Sequence, residues 1–262
     1  MLTIFVIVFI NLVGFGIIIP LLPFYGEHYG ASPEKVTALM ATYSLFQFLF
    51  APIWGYISDR VGRKPILIIS LLGTIIAYLL LAMAPNLIWL FVARAIAGIM
   101  AGSISAAFAF MADITTREDR TKGMGIIGSA FGLGFIAGPA IGGFLAGGDI
   151  NNTNFQVPAY YAAGFAALAS IFSVFFLRES LPAIKRQNWH LRFKPIQSLK
   201  AINLKLLPDV KYILYLTFFT ISVFAALEST FAMWTERNFN WGVEQNGYIF
   251  AYSGIISAII QG

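Results

Sequence analysis

Apolar residues fall along this chain in long runs separated by short polar intervals, and most runs approach the about 20 residues that an α-helix needs to cross a bilayer core. Eight such runs stand out: Leu2–Phe24, Val36–Ile57, Ile66–Met83, Ile88–Met111, Gly123–Ala146, Val157–Leu177, Tyr212–Trp234 and Gly247–Gly262. Each predicts a spanning helix. The last holds only about 16 residues and reads as a span cut off by the chain end. The first is too long for a signal-peptide core and no small-residue cleavage site ends it, so it too reads as a span.

Positive charge sorts itself between alternate intervals. Arg60, Arg63 and Lys64, then Arg117, Arg120 and Lys122, then Arg178, Lys185, Arg186, Arg192, Lys194, Lys200, Lys205 and Lys211 fall on one side, against Lys35 and Arg237 on the other. By the positive-inside rule the N-terminus and the basic intervals are expected in the cytoplasm, in a multi-pass protein of the plasma membrane, the inner membrane if the source is bacterial. The interval between the sixth and seventh runs is far longer than the others. It divides the chain into a six-helix bundle at 1–178, a cytoplasmic linker at 179–210 and two further helices at 211–262. Within the linker, Ile196, Leu199, Ile202 and Leu206 recur at helical spacing with Lys200 and Lys205 between them. That suits a short helix on the inner leaflet, and a disordered basic linker would show the same charges. Asn151-Asn152-Thr153 matches a glycosylation acceptor and is assigned no role.

Composition agrees with the spans and removes whole classes of function. The chain is 58% hydrophobic and 11% charged, with no cysteine and two histidines, His28 and His190, in separate intervals. No disulfide framework, thiolate metal site or Ser-His-Asp arrangement can be built from that, and no phosphate loop or activated nucleophile stands out. An enzyme is not expected, and neither a metal nor a cofactor. The net charge of +5 lies in inter-helix intervals instead of on one face, so a nucleic-acid partner is not expected either.

Charge inside a span costs several kcal/mol on most scales, so the few polar residues there are functional candidates. Arg94 lies about six residues into the fourth run, roughly 9 Å at 1.5 Å per residue. It either snorkels to the interface or points inward, and the small-residue face of Gly98, Ala101, Gly102 and Ser105 favours inward. Glu228 sits well inside the seventh run, where burial favours the neutral carboxyl and so allows proton exchange; pairing with a basic group is the structural alternative. Asn11 and Gln47 are hydrogen-bonding groups in lipid, whose default role is interhelical. The fifth run carries Gly128 and Gly132, then Gly134, Gly138, Pro139, Gly142 and Gly143. Glycines four apart make flat faces for close helix packing, and Pro139 is expected to kink the helix. In the first run, Pro20 and Pro23 either bend or end the helix.

The densest polar stretch is Gly55–Pro65, read as a tight turn between the second and third helices, with Gly62 supplying positive φ and Pro65 opening the next helix. Its charges alone would mark the inside. Asp113, at the same end of the fourth run, is level with Asp59 and Arg63, where a salt bridge can join the ends of helices two and four.

Gly55-x-x-x-Asp59-Arg60-x-Gly62-Arg63-Lys64 resembles the signature between helices two and three of the major facilitator superfamily at every motif position. Gly134-x-x-x-Gly138-Pro139-x-x-Gly142-Gly143 resembles the helix-five motif of its drug:proton antiporters, to which the tetracycline-efflux proteins belong. The helix-four signature is matched in part, at Arg94 and Gly98, with Ala97 where the family has glutamine. Asn11 stands where many relatives carry aspartate. The resemblance implies an all-α membrane protein of the major facilitator fold, its N-terminal six-helix bundle plus the first two helices of the second bundle, truncated after helix eight. It further implies that helices one, four and seven line a cavity holding Asn11, Arg94 and Glu228. Asp59, Arg63 and Asp113 would latch the outward-open state, and the glycine helix would pack between bundles. The expected function is proton-coupled efflux of amphiphilic, drug-like small molecules by alternating access, with the proton gradient as energy source, the lipid bilayer as partner and the complete transporter a monomer. Two readings compete: a metabolite or sugar symporter on the same fold, and a truncated membrane protein that does not transport.

Overall fold

The computed structural model describes residues 1–148, 153–182, 184, 186 and 208–261. The glycosylation acceptor apart from Thr153, the linker helix expected at Pro195–Leu207 and His190 lie outside the described residues.

Ten helices and no strand occur among the described residues: α1 (Leu2–Ile18), α2 (Leu21–His28), α3 (Pro33–Val61), α4 (Arg63–Ala82), α5 (Leu87–Ala101), α6 (Ile104–Ile114), α7 (Arg120–Ala146), α8 (Gln156–Phe176), α9 (Pro208–Phe239) and α10 (Val243–Gln261). Seven stretches are long and apolar enough to cross a membrane by length and composition, α1 with α2 and α5 with α6 each counting as one; α10, of 19 residues, is not among these seven. Most helices overrun the apolar runs by a few residues, because a helix continues through polar turns for as long as its caps allow. Asn86 accepts from the backbone N–H of Ile88 and Trp89 to start α5, and Asn154 does the same for Gln156 and Val157 at α8.

Two spans differ from the sequence expectation. The first does not end near Phe24: the helix is interrupted at Ile19 and Pro20, where proline has no N–H to give, and resumes as α2 to His28. The fourth is not continuous. A β-carbon at Gly102 would lie 2.9 Å from Ala51 N and 3.0 Å from Phe50 C, so this segment meets the backbone of α3. There Trp54 Nε1 donates to Ile99 O at 2.6 Å and Gln47 Nε2 to Ala101 O at 3.5 Å. Side chains of α3 thus take carbonyls at the interruption.

α1 is apolar all round and correspondingly central, with Ile4, Ile17, Ile18 and Leu21 wholly buried in the span. It lies between α7 and α8, while α4 packs on α8 and α5 and α3 packs on α5. α7 runs unbroken through Pro139. Only one of the two expected glycine faces is a packing face. Gly134, Gly138 and Gly142 meet the α1 backbone, whereas nothing lies within 4 Å of a β-carbon at Gly128 or Gly132. Gly143 serves a second contact: its β-carbon would stand 3.0 Å from Glu244 Cα on α10, so α7 is held between α1 and α10.

The two ends of the molecule are distinct. Met1, Gly62, Ile114 and Phe176 mark the basic end, and His28, Met83, Ala146 and Phe239 the opposite end. Near the opposite end α9 packs on the six-helix block through Met233 against Ala31 and Val36; toward the basic end its residues from Tyr212 to Leu227 are exposed.

Candidate functional site: a charged cavity and a cluster at the basic end

A cavity of about 540 Å³ lies between the six-helix block and α9. Asn11, Gln47, Arg94 and Glu228 all line it, brought together from α1, α3, α5 and α9. Arg94 points inward and is 6% exposed. Its guanidinium carbon stands 4.4 Å from the centroid of the Tyr43 ring and 6.0 Å from that of Phe15, and its Nε has no hydrogen-bond partner among the described residues. The Tyr43 π-face gives a desolvated cation partial compensation, on the order of 2 kcal/mol. Asn11 Oδ1 is likewise buried without a partner among the described residues. Glu228, half-buried, faces Arg94 electrostatically across the cavity. The wall therefore sets a guanidinium, an amide and a carboxyl group among aromatic faces.

Several lining residues escaped the sequence reading. Tyr43 lies one helical turn before Gln47 and shares its face, a periodicity that could have found it. Tyr78, Thr74 and Ser70 come from α4, where hydroxyls at helical spacing were the available signal. Ser103 donates to Ser70 Oγ, joining the interruption of the fourth span to the third.

At the basic end the expected turn proves to be a single residue. α3 runs to Val61 and α4 begins at Arg63, so Asp59 and Arg60 end one helix and Arg63, Lys64 and Pro65 open the next. Gly62 adopts φ 119°, ψ 160°, a region that L side chains rarely occupy. Gly55 is no turn residue: it lies inside α3, with Ser105 Oγ in ordinary contact at 3.8 Å from its β-carbon position. Arg63 Nη1 reaches Asp59 Oδ1 at 2.7 Å and Ser58 Oγ at 2.6 Å, and Arg63 Nε donates to Asp113 Oδ2 at 3.2 Å. The cluster thus joins three spans through one guanidinium, the fork geometry that favours arginine over lysine. Lys64 Nζ donates instead to Val174 O at 2.8 Å, and Arg60 stacks on the Tyr56 ring at 3.4 Å.

Glu179 and Ser180, unforeseen in the sequence, complete it. Ser180 Oγ donates to Asp113 Oδ2 at 3.1 Å. Glu179 accepts from the backbone N–H of Arg63 at 2.8 Å and of Lys64 at 3.3 Å, an anion at the positive end of α4. A β-carbon on Gly62 would collide with that carboxylate. Gly62→Ala should therefore cost about 1–3 kcal/mol in strain alone, read as a fall in thermal midpoint that Glu179→Ala does not relieve fully.

Comparison with known proteins places this geometry. The chain is 35% identical to the class E tetracycline resistance protein of Escherichia coli over 98% of its own length and 63% of that protein's. It is 30% identical to multidrug resistance protein 2 of Bacillus subtilis over 99% of its length and 65% of the relative's. The chain thus spans somewhat less than two thirds of these relatives. Among solved structures, the human organic anion transporter MFSD10 matches with a TM-score of 0.74 at 26% identity, covering 99% of this chain and 70% of that one. A bacterial homologue of the human lysosomal transporter Spinster shares the fold, with a TM-score of 0.74 at 17% identity over 98% of this chain and 59% of its own. A family model described as Major Facilitator Superfamily matches residues 4–262, and the chain belongs to that superfamily.

Proposed function

We propose that the protein exports drug-like, amphiphilic small molecules against a proton gradient by alternating access, with its basic end in the cytoplasm. The observation that carries this is the placement of Arg94, Glu228 and Asn11 on one cavity whose walls belong to the six-helix block and to α9. Resistance proteins for tetracycline and for multiple drugs among the relatives support the cargo class. The packing of α9 on the block near the opposite end, with Tyr212 to Leu227 exposed, supports a rocking movement of the two parts. In the cycle, the Glu228 carboxylate takes up a proton from outside as cargo leaves, and releases it inside when cargo binds beside Arg94. Asp59, Arg63 and Asp113, with Gly62 at the turn, hold the basic end of the block together as the latch of one state. The carrier works as a monomer and without a bound cofactor.

The test is efflux by the protein in proteoliposomes under an imposed pH gradient. Glu228→Gln should lower gradient-driven efflux at least about tenfold, as for an obligatory carboxyl proton carrier. Exchange of labelled for unlabelled cargo without a gradient should persist. Full gradient-driven efflux by the variant would end the coupling role of Glu228.

A further inference from the structure

Among the described residues, Arg94 and Glu228 are the only charged ones that line the cavity, the first on α5 and the second on α9. The protein satisfies neither of them. The ion pairs of the described residues join Arg63 to Asp59 and Asp113, and Arg237 to Glu27, and leave both cavity charges out. No hydrogen bond from a described residue reaches the Arg94 guanidinium or the Glu228 carboxyl. A guanidinium carries five N–H donors, and Arg94 is only 6% exposed, a burial that is costly for a charge without partners.

Aromatic faces lie beside this cation. The Tyr43 ring is 4.4 Å from the guanidinium carbon. Phe15 lies against Tyr43 with ring centroids 4.8 Å apart and meets Phe135 edge-on at 5.9 Å. α1, α3 and α7 thus build one aromatic wall next to the positive charge. A π-face offsets part of the desolvation of a cation but gives its N–H groups no lone pair to bond. The group that fits a planar guanidinium fork is a carboxylate, held through two parallel N–H···O bonds. The group that fits an ionised Glu228 is a cation. A volume of about 540 Å³ is that of a site for a drug-sized molecule.

We propose that the cargo is amphoteric: a flat aromatic molecule whose carboxylate binds Arg94, whose ring lies against Phe15 and Tyr43, and whose protonated nitrogen binds Glu228. This rests on the reading of the cavity as the cargo site and narrows that reading to a chemical class. The two charges decide between this class and the simpler ones. A purely anionic cargo is repelled by an ionised Glu228 and binds best with a proton already in place, which is cotransport and not exchange. A purely cationic cargo leaves Arg94 without an anion in the cavity. An amphoteric cargo meets both charges, and its cation and a proton exclude each other at one carboxylate.

Three probes with one ring system test the assignment. Ciprofloxacin carries a carboxylate and a protonated piperazine nitrogen near neutral pH; its methyl ester keeps only the cation, and its N-acetyl derivative only the acid. Binding of each to the protein in lipid nanodiscs is measured by isothermal titration calorimetry. The parent compound should bind at least about tenfold tighter than either derivative, the yield of one charge-assisted bond. Arg94→Gln should bring the parent level with its methyl ester and keep it ahead of the N-acetyl derivative. Arg94→Lys, which keeps the charge without the fork, should retain part of the lost preference. Glu228→Gln should do the reverse and bring the parent level with the N-acetyl derivative. Failure of the parent to bind the unsubstituted protein, or equal binding of all three probes to it, overturns the proposal without any variant. An effect of Arg94→Gln that falls equally on the three probes also overturns it, for that is the result if Arg94 only balances the charge of Glu228. Binding is read without a gradient, so this outcome is independent of whether Glu228→Gln still supports gradient-driven efflux.

Discussion

Gly138→Val should leave little folded protein. A β-carbon at this position would lie 2.5 Å from Gly16 Cα, 2.7 Å from Gly16 C and 2.8 Å from Val13 O. All three are backbone atoms of α1, and no rotamer change can move them aside. The reverse contact is as tight, since a β-carbon on Gly16 would meet Gly138 Cα and Gly134 O at 3.0 Å. The two helices must separate, yet α1 is also pressed against α8, where Gly14 meets Ala162 O, and it carries wholly buried residues along its length. We expect a loss above the about 1–3 kcal/mol usual for overpacking, seen as collapse of the monodisperse fraction after detergent extraction and a lower thermal midpoint. Gly128→Val is the control, for that position has nothing within 4 Å of its β-carbon, and its effect should stay within about 0.5 kcal/mol. Equal damage from both changes would show that the contact of α1 with α7 does not limit stability.

Arg63→Gln should cost the six-helix block about 2–3 kcal/mol, somewhat under the value for a fully buried pair because Asp59 and Asp113 keep 34% and 25% of their side-chain surface. The Arg63 guanidinium bonds both carboxylates and is itself 9% exposed. Removing it leaves Asp59 and Asp113 facing each other with Ser58 and Ser180 as neutral neighbours. The charge swap Arg63→Asp with Asp113→Arg is a sharper test. A two-residue pair would be restored by it, but here Asp59 remains on α3 and Glu179 remains at the α4 N-terminus, so the carboxylate introduced by Arg63→Asp would stand beside two anions. We therefore expect the double variant to recover more than either single change yet to stay below the unsubstituted protein, both in thermal midpoint and in transport. A double variant no better than the single ones would remove the Arg63–Asp113 bond from any latch.

The polar residues that line the cavity each had a strong local signal in the sequence. A charge or an amide within an apolar run is conspicuous whatever it touches, which is why Arg94, Glu228, Asn11 and Gln47 were legible. Tyr43 and Tyr78 were not, since tyrosine in a membrane helix faces lipid, an interface or a cavity with equal ease. Glu179 lay two residues past the sixth apolar run, where a carboxylate has no reason to be noticed until α4 is seen to begin beside it.

By itself the sequence marked seven stretches long and apolar enough to span and the gathering of basic residues in alternate intervals, because a bilayer imposes a minimum apolar length and penalises every charge within it. It also marked α7 as a packing helix, through glycines that leave no side chain between backbones. Only the tertiary structure decided which of those glycines pack, where the first and fourth spans break, and that the turn at Gly62 is one residue long. These depend on what stands opposite: Gly16 for Gly138, Phe50 and Ala51 for Gly102, Glu179 for Gly62. The junction of Glu27 with Arg237, 210 positions apart, lies furthest from any local signal. Local pattern records what each segment requires of lipid and of its own backbone, whereas contacts between distant segments are set by how the helices meet.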